Sequence, residues 1–320
     1  MFKVAITDYT FGSLEVEQGI LQSAGGKIAS GQCRTPEALI SLVADADAVI
    51  TQFAPVNADV IAEMRKAKAI VRYGIGYDNV DCDAARAKGI PVCNIPDYCI
   101  DEVADHTLAF ILATTRALRP NCAHIVNGAW GLGVPLEHMR ALADQSIGII
   151  GLGRIGKAVA DRLRAFKCQL LAFDPVLSAD EASTYGCSLI SLDELLSTSD
   201  IVTLHCPSND KTRGLISADT LAQMKPASIL INVGRGDLVQ LDALTKALNS
   251  GHLAAAALDV FDQEPLDNDS PLPKMDNVIV SSHVASASPK SILALRETAG
   301  NLALKAVRGE PLPNVVNGVS

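Results

Sequence analysis

Several absences narrow the field before any motif is read. The 320-residue chain has no uncharged run near the roughly 20 residues needed to span a bilayer. Its first residues, M-F-K-V-A-I-T-D-Y, lack the apolar stretch of a signal peptide. It has no run of Lys and Arg, and a formal net charge of -9 gives phosphate backbones and anionic membranes nothing general to bind. Neither nucleic acid nor a membrane is an expected partner. The eight cysteines form no C-x-x-C pair and no Cys/His grouping at zinc spacing. They read as reduced thiols in a cytoplasm, and no metal is expected. No repeat of fixed period and no low-complexity tract is present.

The chain does have the balance of a soluble protein, 48% hydrophobic and 20% charged, and enough length for two domains with well-filled cores. Short apolar runs alternate with helical stretches from the start: K-V-A-I-T-D, A-V-I-T-Q and A-I-V-R-Y. That alternation predicts an α/β fold with a parallel sheet. Residues 101 to 118 read as a helix with Asp101 as N-cap and an apolar stripe of Val103, Leu108, Ile111 and Leu112. From Arg119 to Leu136, two prolines, three glycines and the only tryptophan, Trp130, give turn chemistry without a period. This segment is expected to be irregular. A second βα series follows, with six apolar runs: S-I-G-I-I-G, Q-L-L-A-F-D, D-I-V-T-L-H, S-I-L-I-N-V, A-A-A-L-D-V and N-V-I-V-S-S. It predicts one doubly wound sheet. A last helix spans about Pro289 to Arg308, and nothing in its pattern says which domain it joins.

The first run of the second series leads into G-L-G-R-I-G, with Gly151, Gly153 and Gly156, and then into a helical period. Glycines there permit a tight turn, a close approach to a pyrophosphate and tight helix packing, while the helix N-terminus faces negative charge. Taken alone, the same glycines could simply shape a βα turn. Asp174 ends the next strand, at the distance where a carboxylate accepts hydrogen bonds from adenosine ribose hydroxyls. It would repel a 2'-phosphate, and the following P-V-L-S has no arginine to bind one, so NAD is favoured over NADP.

With R-Y-G-I-G-Y-D-N-V-D at 72 to 81, G-L-G-R-I-G, N-V-G-R-G-D at 232 to 237, D-V-F-D-Q-E-P at 259 to 265 and S-S-H-V-A at 281 to 285, the sequence resembles the D-isomer-specific 2-hydroxyacid dehydrogenases over nearly its whole length. The resemblance implies a flavodoxin-like substrate domain of residues 1–99 and 291–320, and an NAD-binding Rossmann domain of residues 100–290. The 101–118 helix would be a hinge, and the protein a homodimer through its NAD domains. It also implies catalysis by Arg235, Glu264 and His283, with Tyr73, Gly74, Ile75 and Gly76 joining Arg235 around the substrate. Cofactor contacts would come from Thr107, Gly151, Gly153, Arg154, Ile155, Gly156, Asp174, His205, Cys206, Pro207, Thr212, Val233, Gly234, Asp259 and His283.

The residue types suit that chemistry. Hydride transfer to a keto carbon leaves negative charge on oxygen, which calls for a proton donor and a fixed positive charge. His283 and Arg235 fit these tasks, and Glu264 beside the imidazole would favour its protonated form. Arg235 offers a planar fork for a carboxylate. Singly, each has a plainer reading: a surface ion pair, a turn residue before Pro265, a satisfied core histidine. His106 reads as a structural hydrogen-bonding residue, and Asp259 either as a contact near the nicotinamide or as a helix-capping or strand-end residue. Tyr9, Phe11, Tyr73 and Tyr77 are candidates to close a pocket.

Ser282 stands where many members of the family have proline, which puts the local backbone geometry in question. Two rivals remain open. One is an NAD-sensing interaction protein of the C-terminal binding protein type, since the fold alone does not fix function. The other is a dehydrogenase of phosphorylated acids such as 3-phosphoglycerate, with Arg72 meeting the phosphate or else anchoring its loop.

Overall fold

The computed structural model describes residues 1–319. It divides into two compact units, one of Met1–Cys99 with the C-terminal stretch from Ala287, the other of Ile100–Ser286. In the first, strands β1 (Phe2–Ile6), β2 (Gly26–Ser30), β3 (Ala48–Thr51), β4 (Ile70–Arg72) and β5 (Val92–Cys93) alternate with helices α1 (Glu15–Ser23), α2 (Pro36–Val43), α3 (Ala58–Ala62) and α4 (Cys82–Ala87). The sheet is parallel throughout, in the flavodoxin-like order β2-β1-β3-β4-β5. Successive strand residues enter opposite cores. Val4, Ile6, Ile50 and Val71 pack in one cluster, whereas Ala5, Val49 and Ile70 pack in the other. Both faces are therefore covered, which is why these strands read as unbroken apolar runs.

The second unit opens with α5 (Ile100–Thr115) and α6 (Leu118–Val126). Its seven strands are β6 (Ser146–Ile150), β7 (Gln169–Phe173), β8 (Cys187–Leu189), β9 (Ile201–Leu204), β10 (Ser228–Asn232), β11 (Leu253–Leu258) and β12 (Val278–Val280). Helices α7 (Arg154–Leu163), α8 (Ala179–Thr184), α9 (Leu192–Thr198), α10 (Ala218–Gln223) and α11 (Leu241–Asn249) connect them. The parallel order β8-β7-β6-β9-β10-β11-β12 reverses direction between β6 and β9, the switch point at which a doubly wound sheet binds ligands. Gly148 in β6 has no room for a side chain, since a Cβ would meet Ser199 Oγ and Leu195 within 2.4–2.5 Å. That lets α9 lie close against the sheet.

The chain returns to the first unit through α12 (Pro289–Arg308), whose Leu295, Ala299, Leu302 and Ala303 complete one of its two cores. Ser288 caps α12 in a capping box with Ser291, Pro289 takes the first turn, and Gly309 ends it at φ 70°. The cap travels with its helix, so the return comes at Ala287 and not at the expected 291.

Three strands escaped the sequence reading. β2 and β8 are edge strands paired with one neighbour each, and β5 has two residues. None offers an apolar run long enough to show a period. The segment expected to be irregular from Arg119 contains α6, which no sequence period announced because none of its residues is buried. Pro120 is tolerated there because it lies in the first turn, where an N–H has no intrahelical acceptor. Ala117 at φ 46° breaks α5 from α6. Asp101, expected as N-cap, lies inside the first turn of α5. Among the described residues, no helix is long and apolar enough to cross a membrane, and no group of three or more His, Cys, Asp or Glu side chains could hold a metal ion.

Candidate active site

The glycine loop forms where β6 meets α7. Gly151 has φ +91°, and a Cβ there would come within 2.6–2.8 Å of the His205–Cys206 backbone. Only glycine allows the end of β6 to touch the end of β9 in this way. A Cβ on Gly156 would lie 2.2 Å from the Gly151 carbonyl, so α7 is seated directly on the loop. Gly153, the N-cap of α7, is exposed, has nothing within 4 Å of where a Cβ would stand, and no side chain caps the helix. Arg154 and Ile155 open the first helical turn. This is a cradle of the kind a pyrophosphate fills, with the positive end of a helix facing it.

Asp174 is tied to that cradle. Its Oδ2 accepts the Leu152 N–H and its Oδ1 the Val176 N–H, both at 2.9 Å. A carboxylate has roughly four acceptor positions, so capacity remains for ribose hydroxyls. His205 follows β9, and its Nε2 lies 2.9 Å from Thr203 Oγ1. Burial pushes its imidazole down to about 3, which leaves it neutral. Burial is also the largest influence on the Cys206 thiol, which stands at about 11. Pro207 accepts a 2.6 Å hydrogen bond from the Thr212 hydroxyl, which pins the loop between them. Val233 is buried, and Gly234 packs against the Leu204 carbonyl, 3.3 Å from its would-be Cβ. Thr107 lies on α5. Its side chain is fully buried, and its hydroxyl donates to the Val103 carbonyl one turn back on α5.

Arg235 sits on the turn after β10. Asn232 shapes that turn by accepting the Gly234 N–H at 3.0 Å and donating to the Arg235 carbonyl at 2.8 Å. Next to it, a Cβ on Gly236 would overlap the Phe261 carbonyl carbon at 1.8 Å. The arginine turn and the segment after β11 thus pack backbone to backbone. That segment holds Glu264, whose Oε1 accepts the Phe261 N–H at 2.9 Å and whose Oε2 lies 2.7 Å from His283 Nδ1. Burial alone would raise the Glu264 carboxyl. The hydrogen bond and charge of His283, the Phe261 N–H and the charge of Arg235 outweigh it, so the group is held below its ordinary range. An ionised Glu264 can only accept, so His283 Nδ1 carries a hydrogen and Nε2 is the nitrogen left to exchange a proton.

Asp259 fixes the turn that carries His283. It is 1% exposed, its Oδ1 accepts the Val284 N–H at 2.9 Å and the Ser281 hydroxyl, and its Oδ2 accepts the Ala285 N–H at 2.8 Å. His106 hydrogen-bonds Ser281, as its structural reading expected.

In the first unit, Gly74 turns at φ +146°, and the Arg72 guanidinium occupies the space a side chain would need, 1.6 Å from the would-be Cβ. The Gly74 carbonyl accepts the Ile95 N–H at 2.9 Å, and the Ile75 carbonyl accepts Asn94 Nδ2 at 2.7 Å. Tyr73 does not line a pocket. It is 1% exposed and donates its hydroxyl to Glu17 Oε1 at 3.0 Å, while Arg296 holds the same carboxylate at 2.7–2.9 Å. Burial, with the adjacent Glu17 charge, raises the phenol well above its usual range. The residues that sequence reasoning missed are Asn232, Ser281 and Asn94. Asn232 and Ser281 lie in quoted motifs and Asn94 outside them, and each acts through a hydrogen bond that no periodicity shows.

Comparison with known proteins bears on this arrangement. Residues 108–285 match the family described as "D-isomer specific 2-hydroxyacid dehydrogenase, NAD binding domain". The chain is 35% identical to a glyoxylate reductase of Korarchaeum cryptofilum over 87% of its own length and 85% of the relative's. It is 37% identical to a D-3-phosphoglycerate dehydrogenase of Mycobacterium bovis, again over 87% of its own length, but spans only 52% of that relative. Among solved structures, a D-lactate dehydrogenase of Aquifex aeolicus complexed with NAD and lactic acid superimposes with a TM-score of 0.89, at 29% identity, over 99% of this chain and 100% of that one. The chain belongs to the D-isomer-specific 2-hydroxyacid dehydrogenase family. Its second unit is the family's NAD-binding domain.

Proposed function

We propose that this protein is an NAD-dependent 2-keto acid reductase, running in reverse as a D-2-hydroxyacid dehydrogenase. The observation that carries the reading is the convergence of Arg235, Glu264 and His283 in one compact unit, with His283 Nδ1 held 2.7 Å from Glu264. The bound dinucleotide supplies or accepts the hydride. The chain's residues do the rest. Arg235 grips the substrate carboxylate with its planar fork and draws charge toward the keto oxygen. His283 delivers a proton from Nε2 as that oxygen becomes a hydroxyl, and takes one back in the oxidation. Glu264 holds the ring in the required tautomer and stabilises its charged form. The unit of residues 1–99 with the C-terminal helix is the substrate domain.

Short unphosphorylated keto acids fit better than phosphorylated ones. Arg72, the side chain nearest the loop that could meet a distal phosphate, is 7% exposed, folded over Gly74 and stacked on Phe53 at 5.9 Å. A homodimer is also proposed. Leu118, Ile125, Val126, Trp130, Leu132 and Leu136 are all at least half exposed along one segment of the NAD-binding unit. So large an apolar surface suits a second copy. Eight free thiols suit a reducing cytoplasm.

The test is NADH oxidation across glyoxylate, hydroxypyruvate, pyruvate, longer 2-keto acids and 3-phosphohydroxypyruvate. Turnover of an unphosphorylated acid is expected. Preference for the phosphorylated acid would overturn the substrate class, and NADH binding without turnover of any acid would favour an NAD-sensing interaction protein.

A further inference from the structure

His283 stands in a left-handed backbone conformation, φ +56°, that residues with side chains adopt uncommonly. The turn is closed by three N–H groups converging on Asp259: His283 to its carbonyl at 2.7 Å, Val284 to Oδ1 at 2.9 Å and Ala285 to Oδ2 at 2.8 Å. A carboxylate can rotate about its last bond, and these bonds need both oxygens fixed. The Ser281 hydroxyl, donating to Oδ1, supplies that restraint.

A hydroxyl has one proton to give. With it committed to Asp259, the Ser281 oxygen is the acceptor for His106 Nε2 at 3.2 Å, so this nitrogen of His106 carries a hydrogen. The imidazole is held in turn by Phe110, one helical turn along α5, which meets it edge-on with ring centroids 4.4 Å apart. Arg162 of α7 pairs with Asp101 and Asp105 on α5, each at 2.7 Å. A continuous set of contacts therefore runs from the helix that begins at the glycine loop, through α5, to the turn under the acid–base histidine.

We propose that His106, acting through Ser281 and Asp259, is a positioning residue that sets the His283 turn against the dinucleotide-binding helix. The proposal rests on the reading of His283 as proton carrier. It makes His106 more than a packing residue, because its Nε2 hydrogen is the specific requirement.

The experiment compares the full-length wild type with His106→Ala, His106→Gln and Ser281→Ala. In His106→Ala, kcat for the best keto acid is expected to fall roughly ten- to a hundredfold, the scale of a slightly misplaced catalytic group. The NADH dissociation constant is expected to stay within about twofold, since no cofactor contact is removed. His106→Gln, whose amide nitrogen can donate the same bond, is expected to recover most of kcat, and Ser281→Ala to resemble His106→Ala. Amide hydrogen exchange at Val284 and Ala285 supplies a readout independent of activity: faster in His106→Ala and Ser281→Ala, protected again in His106→Gln. Unchanged exchange and kcat in His106→Ala would overturn the proposal. So would a glutamine variant as impaired as alanine, because that points to packing alone. A wild type that turns over no keto acid would instead count against the reductase reading, and the exchange pattern would still decide whether His106 holds the turn.

Discussion

Glu264 faces two ways, accepting the Phe261 N–H with one oxygen and holding His283 Nδ1 at 2.7 Å with the other. Its carboxylate is thus aligned by the backbone before it acts on the imidazole. Reduction needs a protonated Nε2 and oxidation a neutral one. Glu264→Gln keeps the shape of the side chain but removes the anionic acceptor of the Nδ1 hydrogen, so kcat should fall in both directions, by roughly tenfold or more. Steady-state rates in both directions, with deuterated NADH to confirm that hydride transfer limits reduction, check this. Unchanged kcat both ways would show that Glu264 does not hold the ring.

Arg235 to lysine keeps the charge and loses the fork. Arg235→Lys is expected to raise KM for the keto acid and to lower kcat, together reducing kcat/KM by roughly a hundredfold or more, with NADH affinity near normal. Near-normal steady-state kinetics would move the carboxylate contact to another residue.

Asp174 binds two backbone amides and has no arginine after it, so cofactor choice should favour NADH over NADPH by roughly tenfold or more in kcat/KM. Asp174→Ala should narrow that ratio. Because Asp174 also anchors Leu152, the variant should lose some affinity for NADH as well. Equal efficiency with both cofactors in the wild type would defeat the assignment.

Asp200 offers a test of stability. Burial disfavours its ionised form, but Lys225, the Ser146 N–H, Arg140 and the Ser146 hydroxyl outweigh it and hold the carboxyl at about 2. A folded-state value below the unfolded one contributes stability above about pH 4, and that contribution is lost as pH falls toward 2. Since Lys225 and Arg140 are themselves partly exposed, the stabilisation should be about 1–2 kcal/mol and not the full value of the shift. Asp200→Asn should lower the melting temperature at pH 7, with the gap to wild type closing in acid. A gap independent of pH would assign the effect to hydrogen bonding alone.

The parts of the fold and site legible in the sequence share one property: each was signalled over a few neighbouring residues. β6, the glycine loop, Asp174 and the turns bearing Arg235, Glu264 and His283 all follow apolar strands long enough to recognise. The doubly wound order then gathers those strand ends at one edge of the sheet. What escaped was of two kinds. Edge strands β2 and β8 and the two residues of β5 bury too little to leave a period, and α6 buries nothing. The other kind is contact between distant positions, as with His106 and Ser281, 175 residues apart, or Asn94 under the Gly74 loop. Thr107 and Tyr73 were singled out through the family resemblance, and their hydroxyl protons go to the Val103 carbonyl and to Glu17, contacts that no local pattern shows.

Gly236 has a further consequence. Because it abuts the Phe261 carbonyl without an intervening side chain, the spacing between the guanidinium turn and the carboxylate segment is written in peptide bonds. Rotamers, which loosen with temperature and repack when neighbours mutate, have little hold on it. A sequence drifting toward new substrates can therefore vary other side chains while the interval between these two backbone segments is kept, so long as position 236 stays glycine.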